Sequence, residues 1–201
     1  MIIIAMAETD SLFRAILAAI LLPGLAAALY YRLRSHSREK LDRAQEGIPT
    51  LISLRLLGLL FWVCLFLWMA NPSRFPSTRL ALPLEARWFG LGLMAVSFGW
   101  ISWVFRSLGS NLTDTVVTRQ NAYLVTRGPY AWIRHPLYTA VLPMGAAVSL
   151  ITGNAVFFLI TVPVLALLVR RTDKEEAHLL ARFPDAYRSY MQRTGRFLPK
   201  L

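Results

Sequence analysis

The chain has 201 residues, 56% of them hydrophobic and 16% charged, with a formal net charge of +11. A water-soluble domain of this length rarely carries so few charges between such long apolar runs, so an ordinary soluble globule is excluded. The single cysteine, Cys64, excludes an intrachain disulfide.

Apolar runs occur, in chain order, at residues 12–31, 51–70, 88–105, 136–151 and 155–169. A spanning helix needs about 20 mostly apolar residues. The N-terminus has no basic region and no cleavage site, so the first run reads as a retained span and not a leader. Arg14 and Arg55 lie near span ends, where long basic side chains snorkel to the interface. Residues 32–49 are a polar connector, helical in part and closed by Gly47 and Pro49. Residues 106–134 are too polar to span. The fourth and fifth runs are short and separated only by Thr152-Gly153-Asn154, which predicts a tight helical hairpin. Beyond Arg170, Leu180, Phe183, Tyr187, Tyr190 and Met191 recur at helical spacing with charges between them. Pro184 divides this stretch into two amphipathic helices against the membrane face, the second starting near Asp185. The expected fold is an all-α integral membrane protein of about five transmembrane helices. It forms one membrane domain over residues 1–201. Residues 1–105 hold three spans, and residues 106–201 hold the hairpin 136–169 and C-terminal helices over 172–193.

Charge placement orients these spans. Arg32, Arg34, Arg38, Lys40 and Arg43 follow the first span, and Arg106, Arg119, Arg127 and Arg134 follow the third. Arg170, Arg171, Lys174, Arg182, Arg188, Arg193, Arg196 and Lys200 follow the fifth. Five spans put all three groups on one side, which the positive-inside rule makes cytoplasmic. The N-terminus and a loop over residues 71–87 then face outward, although that loop carries Arg74, Arg79 and Arg87. Anionic lipid head groups account for most of this basic charge, so nucleic acid is not an expected partner.

Two polar clusters flank the predicted hairpin. Residues 124–138 combine a Gly128-Pro129 turn, the aromatics Tyr130, Trp132 and Tyr138, and Arg134-His135, directly ahead of an apolar run. Residues 170–176 read Arg-Arg-Thr-Asp-Lys-Glu-Glu. Singly, each part has a plain structural reading. Pro136 suits a helix start, the aromatics suit an interfacial belt, and Glu175-Glu176 suit the first turn of a helix. A hairpin brings both clusters to one membrane face, and an acid pair beside an arginine at a bilayer boundary is costly to keep idle. His36, His135 and His178 are too scattered for a metal site, and none is expected. The chain has no Gly-x-Ser-x-Gly elbow and no Gly-x-Gly-x-x-Gly turn.

These residues carry a family resemblance. Leu124-Val125-Thr126-x-Gly128-x-Tyr130, Arg134-His135-Pro136-x-Tyr138, the short hairpin, Arg171-Thr172 with Glu175-Glu176, then Phe183, Tyr187, Tyr190 and Leu198-Pro199 resemble the isoprenylcysteine carboxyl methyltransferase family. The resemblance covers about the last 80 residues and is closest to short prokaryotic members, placing the chain in a prokaryotic inner membrane. It implies a methyltransferase that binds S-adenosylmethionine without a Rossmann domain, between the cytosolic loop and the helix after the hairpin. By that resemblance Ala122, Tyr123, Leu124 and Val125 line the cofactor through backbone groups. Tyr130, His135, Pro136, Leu137 and Tyr138 complete the pocket, Glu175 faces the cofactor's ammonium, and Thr118 or Gln120 adds a polar contact. Arg171 matches the position that holds the methyl acceptor, so Arg171 and Glu175 are the expected catalytic residues, with Arg171 and Arg134 as the expected substrate-binding residues.

A carboxylate acceptor is already ionised at neutral pH and needs a cation, not a base; an amine would be repelled by Arg171 and would need deprotonation. The expected acceptor is an isoprenylcysteine-like or other lipophilic carboxylate entering from the bilayer, with no obligate protein partner. Two enzymatic alternatives stand beside it: phospholipid amine methylation, with Arg171 on the phosphate, and a sterol-reductase-like oxidoreductase using NADPH. A non-enzymatic membrane scaffold is the third.

Overall fold

Apolar runs without internal breakers become long helices. The computed structural model describes residues 2–34, 48–109 and 123–200. Among these, helix α1 spans Ile2–Arg34, α2 Ile48–Ala70 and α3 Leu84–Leu108. Then come α4 at Pro136–Thr139, α5 at Val141–Thr152, α6 at Val156–Arg182 and α7 at Pro184–Arg193. Short 3-10 turns cover Pro72–Arg74, Pro76–Thr78 and Gly128–Ala131. No named β-strand occurs among the described residues, so the fold is all-α. Three stretches are long and apolar enough to cross a membrane: Glu8–Ala26, Ile48–Ala70 and Leu84–Leu108. Pro136–Thr152 is a shorter apolar helix. The connector at 35–47 and the segment 110–122 lie outside the described residues.

The hairpin differs from its sequence reading at two points, both for local reasons. Its first arm breaks at Ala140, because Pro143 has no N–H to give the carbonyl of Thr139. Its second arm does not stop near Val169. It continues unbroken to Arg182, about 40 Å at 1.5 Å per residue. The sequence changes from apolar to charged at Arg170, but no glycine or proline interrupts the backbone there. The C-terminal helix expected from residue 172 is therefore the end of α6, and only α7, opening on Pro184, is separate.

α5 packs between α3 and α6, α6 also lies along α2, and α1 rests on α5. The shared core contains Phe13, Leu17, Leu65, Trp68, Met94, Ile151 and Phe157. At one end the turn between α5 and α6 is locked. Gly153 takes the left-handed conformation (φ 61°) that ends α5. The buried Asn154 side chain accepts from the Thr78 hydroxyl at 2.7 Å and donates to the Phe75 carbonyl at 3.1 Å. Backbone bonds from Leu80 to Gly153 and from Ala155 to Thr78, each 2.8 Å, tie the 71–83 loop to that turn.

The same end holds a buried ion cluster. Arg87, read from sequence as a loop residue, lies inside α3 because the helix starts at Leu84, just past Pro83. Its guanidinium donates to Asp10 Oδ1 at 2.8 Å and to the Ile151 carbonyl at 2.8 Å, and it lies 4.3 Å over the Phe13 ring. Arg79 donates to Asp10 Oδ2 at 2.7 Å. One carboxylate thus serves two of the three arginines that weaken the positive-inside pattern, and it pins α1 to α3. Asp10→Asn is expected to destabilise the protein by about 2 kcal/mol, since a buried guanidinium loses its counter-charge. Thermal unfolding in detergent reads this as a lower midpoint. The paired change Asp10→Leu with Arg87→Met should recover most of the loss, and an unchanged midpoint in Asp10→Asn would contradict the pin.

Candidate active site

The opposite end gathers both polar clusters. The chain re-enters at Tyr123, which is exposed, runs past buried Val125, and reaches the turn at Gly128. Gly128 has φ +62°, and a Cβ there would lie 3.2 Å from Trp103 Nε1 and press on Ser107, so this position requires glycine. Trp132 packs edge-on against Trp103, with centroids 5.6 Å apart, and Trp100 Nε1 donates to the Pro136 carbonyl at 2.7 Å. These aromatics seat the 128–136 segment on α3.

The C-terminal tail supports the same segment from the other side. Arg134 N–H donates to the Gly195 carbonyl at 2.9 Å, His135 N–H to that of Arg196 at 3.1 Å, and Gly195 N–H to that of Trp132 at 3.2 Å. The Tyr190 hydroxyl donates to the Tyr130 carbonyl at 2.6 Å, docking α7 under the turn. Pairing over 133–135 and 195–196 places His135 at 7% exposure, directly above the charged half of α6.

Helical spacing then decides which side chains meet. Arg171 and Glu175, four residues apart, share a face of α6, and Arg171 Nε donates to Glu175 Oε1 at 2.9 Å. The Tyr138 hydroxyl donates to that same oxygen. Glu175 Oε2 lies 3.3 Å from His135 Nδ1. Glu176 points to the other side of the ring. Its Oε1 lies 3.0 Å from His135 Nε2, 2.9 Å from Arg134 Nε and 3.4 Å from Arg196 Nε. Arg196 also reaches Asp173 at 2.5 Å. The His135 ring stacks on Tyr138, 5.7 Å between centroids and 7° between planes, and tilts against Phe197.

The electrostatics follow this geometry. Burial pushes the Glu175 carboxyl up, but hydrogen bonds from His135 and Tyr138 and the charge of Arg171 outweigh it and hold it below the usual carboxylate range. Burial likewise opposes ionisation of Glu176, and the bonds from His135 and Arg134 still pull it down to about 2. For His135 burial favours the neutral ring, while the two carboxylates win and raise its pKa. Burial pushes the phenols of Tyr130 and Tyr187 well up, and that of Tyr190 to about 12, so all three stay neutral.

Of the residues singled out from sequence, His135, Tyr138 and Arg171 all converge on the carboxylate of Glu175. Pro136 is buried behind them, with Leu124, Tyr130 and Leu137 half-buried nearby in the chain. Arg134 lies on the Glu176 side of His135. Its guanidinium is committed to Glu176 and to the carbonyls of Thr194 at 2.5 Å and Met191 at 3.4 Å. Ala122, Thr118 and Gln120 lie outside the described residues. Sequence reading passed over Glu176, Thr194 and Arg196 as contributors. Glu176 was visible as half of an acid pair, but its facing depends on the tail. Among the described residues no group of three or more His, Cys, Asp or Glu side chains could hold a metal ion.

Residues 90–181 match the model of the isoprenylcysteine carboxyl methyltransferase family. The chain is similar to the cobalt-zinc-cadmium resistance protein CzcN of Cupriavidus metallidurans, 30% identical over 115 residues, 55% of this chain and 49% of that protein. It is 38% identical over 88 residues to the nickel-cobalt-cadmium resistance protein NccN of Alcaligenes xylosoxydans xylosoxydans, 41% of this chain and 39% of the relative. With the protein-S-isoprenylcysteine O-methyltransferase of Schizosaccharomyces pombe it shares 31% over 94 residues, 45% of this chain and 40% of the relative. The matches thus span less than half the length of each relative. Among solved structures, the eukaryotic intramembrane Ras methyltransferase, isoprenylcysteine carboxyl methyltransferase, superposes with a TM-score of 0.52 at 22% identity, covering 76% of this chain and 53% of that one. That likeness is one of fold.

Proposed function

We propose that the chain, whose residues 90–181 match the model of the isoprenylcysteine carboxyl methyltransferase family, is a member of that family and an integral membrane methyltransferase. In this reading it uses S-adenosylmethionine and esterifies the carboxylate of an isoprenylcysteine-like or other lipophilic acceptor. One observation carries the proposal. A cation and a carboxylate, Arg171 and Glu175, stand together on one face of α6 just past its apolar half.

The residues present fit the cofactor. Its amino group is cationic, and Glu175 is an ionised, largely buried carboxylate, 17% exposed, held by neighbours on both oxygens. Tyr123, Leu124 and Val125 would offer backbone peptide groups to it, with Tyr130, His135, Pro136, Leu137 and Tyr138 forming the wall. When bound, S-adenosylmethionine supplies a methyl group on a sulfonium, for displacement onto a carboxylate oxygen. The protein's task is then alignment and electrostatics. Arg171 orients the acceptor carboxylate and favours its anionic form, so no general base is required. Glu175 fixes the donor's charged end and, through its bond to Arg171, the guanidinium's direction. Arg134, engaged by Glu176, supports the wall of the site.

The functional unit in this proposal is one membrane domain, with residues 106–201 as the cofactor-binding region. The charged end faces the cytoplasm of a prokaryotic cell and the N-terminus faces outward. The acceptor enters sideways from the bilayer. Calorimetric titration of the detergent-purified protein with S-adenosylhomocysteine, with NADPH in parallel, tests the reaction class. Micromolar binding of the former is expected. Binding of NADPH alone would move the chain to the reductases, and binding of neither would leave a scaffold.

A further inference from the structure

Both ring nitrogens of His135 face a carboxylate, Nδ1 toward Glu175 at 3.3 Å and Nε2 toward Glu176 at 3.0 Å. An ionised carboxylate can only accept, and a neutral imidazole has one donor and one lone pair. A neutral ring would therefore set a lone pair against a carboxylate oxygen on one side. Protonating a carboxylate instead is disfavoured by its other partners. Glu175 Oε1 already receives Arg171 and Tyr138, and Glu176 Oε1 receives Arg134 and lies beside Arg196. The groups facing the ring are thus the two carboxylates from α6, Tyr138 from its own segment and Phe197 from the tail, with Arg134, Arg171 and Arg196 behind the carboxylates.

We propose that His135 works as a fixed imidazolium clamped between Glu175 and Glu176, and that Glu176 is the positioning residue that keeps it charged and so aims Glu175 at the cofactor. Glu176 touches neither cofactor nor acceptor in this scheme. It acts through the ring, and through Arg134 and Arg196 it makes the docked tail part of the same unit. The inference deepens the methyltransferase reading of this site and rests on it only for the consequence in cofactor binding. Removing the ring's proton leaves two adjacent carboxylates repelling across a neutral group and takes a donor from Glu175. Cofactor affinity therefore falls as pH rises through the His135 midpoint.

The test reads the ring directly. The protein is labelled with nitrogen-15 histidine in lipid nanodiscs, and the His135→Gln spectrum identifies the signal. At pH 7.5 both ring nitrogens are expected to carry protons, with a midpoint above the ordinary value near 6.5. In Glu176→Gln the midpoint should drop by roughly one pH unit, as loss of one close opposite charge dictates, and Glu176→Asp should restore it. S-adenosylhomocysteine affinity of Glu176→Gln should then fall about tenfold between the two midpoints, matching that unit, and converge with wild type at pH 6. A neutral His135 ring in the wild type at pH 7.5 overturns the clamp, as does an unchanged midpoint in Glu176→Gln. The midpoints are measured on the protein alone. Charged His135 in a protein that fails to bind S-adenosylhomocysteine sinks the methyltransferase reading and supports the clamp; a neutral ring in a protein that binds it sinks only the clamp.

Discussion

Arg171→Ala is expected to lower turnover on a prenylated cysteine bearing a free carboxylate by about a thousandfold, the scale of removing one preorganised charge from a reacting centre. Affinity for S-adenosylhomocysteine should change far less. Arg171 is one of three donors to Glu175, and Tyr138 and His135 remain to hold that carboxylate ionised at neutral pH. The lost interaction is therefore with the acceptor, and kcat/KM should fall much further than cofactor binding. Arg171→Lys keeps the charge and loses the planar fork, so its activity should lie between the two. Turnover of the alanine variant at wild-type rate removes Arg171 from the acceptor site. An equal loss of cofactor affinity and turnover reassigns it as a support for Glu175.

Glu175→Gln is expected to weaken S-adenosylhomocysteine binding by about a hundredfold, roughly the worth of one charge-assisted contact in a largely buried site. Arg171 also loses its counter-charge in this variant, so turnover falls with binding. The pH dependence separates charge from shape. Glu175 titrates below the ordinary carboxylate range, so its contribution to stability and binding is fully present above pH 4.5 and is lost only as pH falls through its lower folded value. Glu176 behaves likewise, down to about 2. His135 has the opposite sign. Its raised pKa makes its contribution full below about 6.5 and lost as pH rises through the folded value. Cofactor affinity should therefore stay flat from pH 4.5 to neutrality and decline on the alkaline side. A Glu175→Gln protein that binds S-adenosylhomocysteine like wild type refutes the assignment of Glu175.

Arg171 and Glu175 were singled out through the family resemblance, and their pairing in the structure follows from lying four residues apart on one helix, a spacing that needs no tertiary information. Glu176 was not, though it is the very next residue. One step along a helix turns a side chain by about 100°, so Glu175 and Glu176 take different neighbours. Those of Glu176 come from Arg134 and Arg196, which only the docked tail brings near. Arg134 illustrates the converse. Its type and place suggested an acceptor-binding cation, and only the folded tail reveals its bonds to the carbonyls of Met191 and Thr194.

The sequence by itself determined the membrane class, the helices α2 and α3, the turn at Gly153 and the break at Pro184. These follow from local chemistry: apolar runs must leave water, glycine admits the left-handed conformation, and proline cannot continue a helix. Tertiary structure alone decided that α6 runs from its apolar half into its charged half without interruption, that Asp10 pins α1 through Arg87, and that His135 sits between two carboxylates. Each of the last two joins residues 40 or more positions apart. Such pairs form because a buried charge must find a partner wherever packing places it, and no local pattern along the chain records where that is.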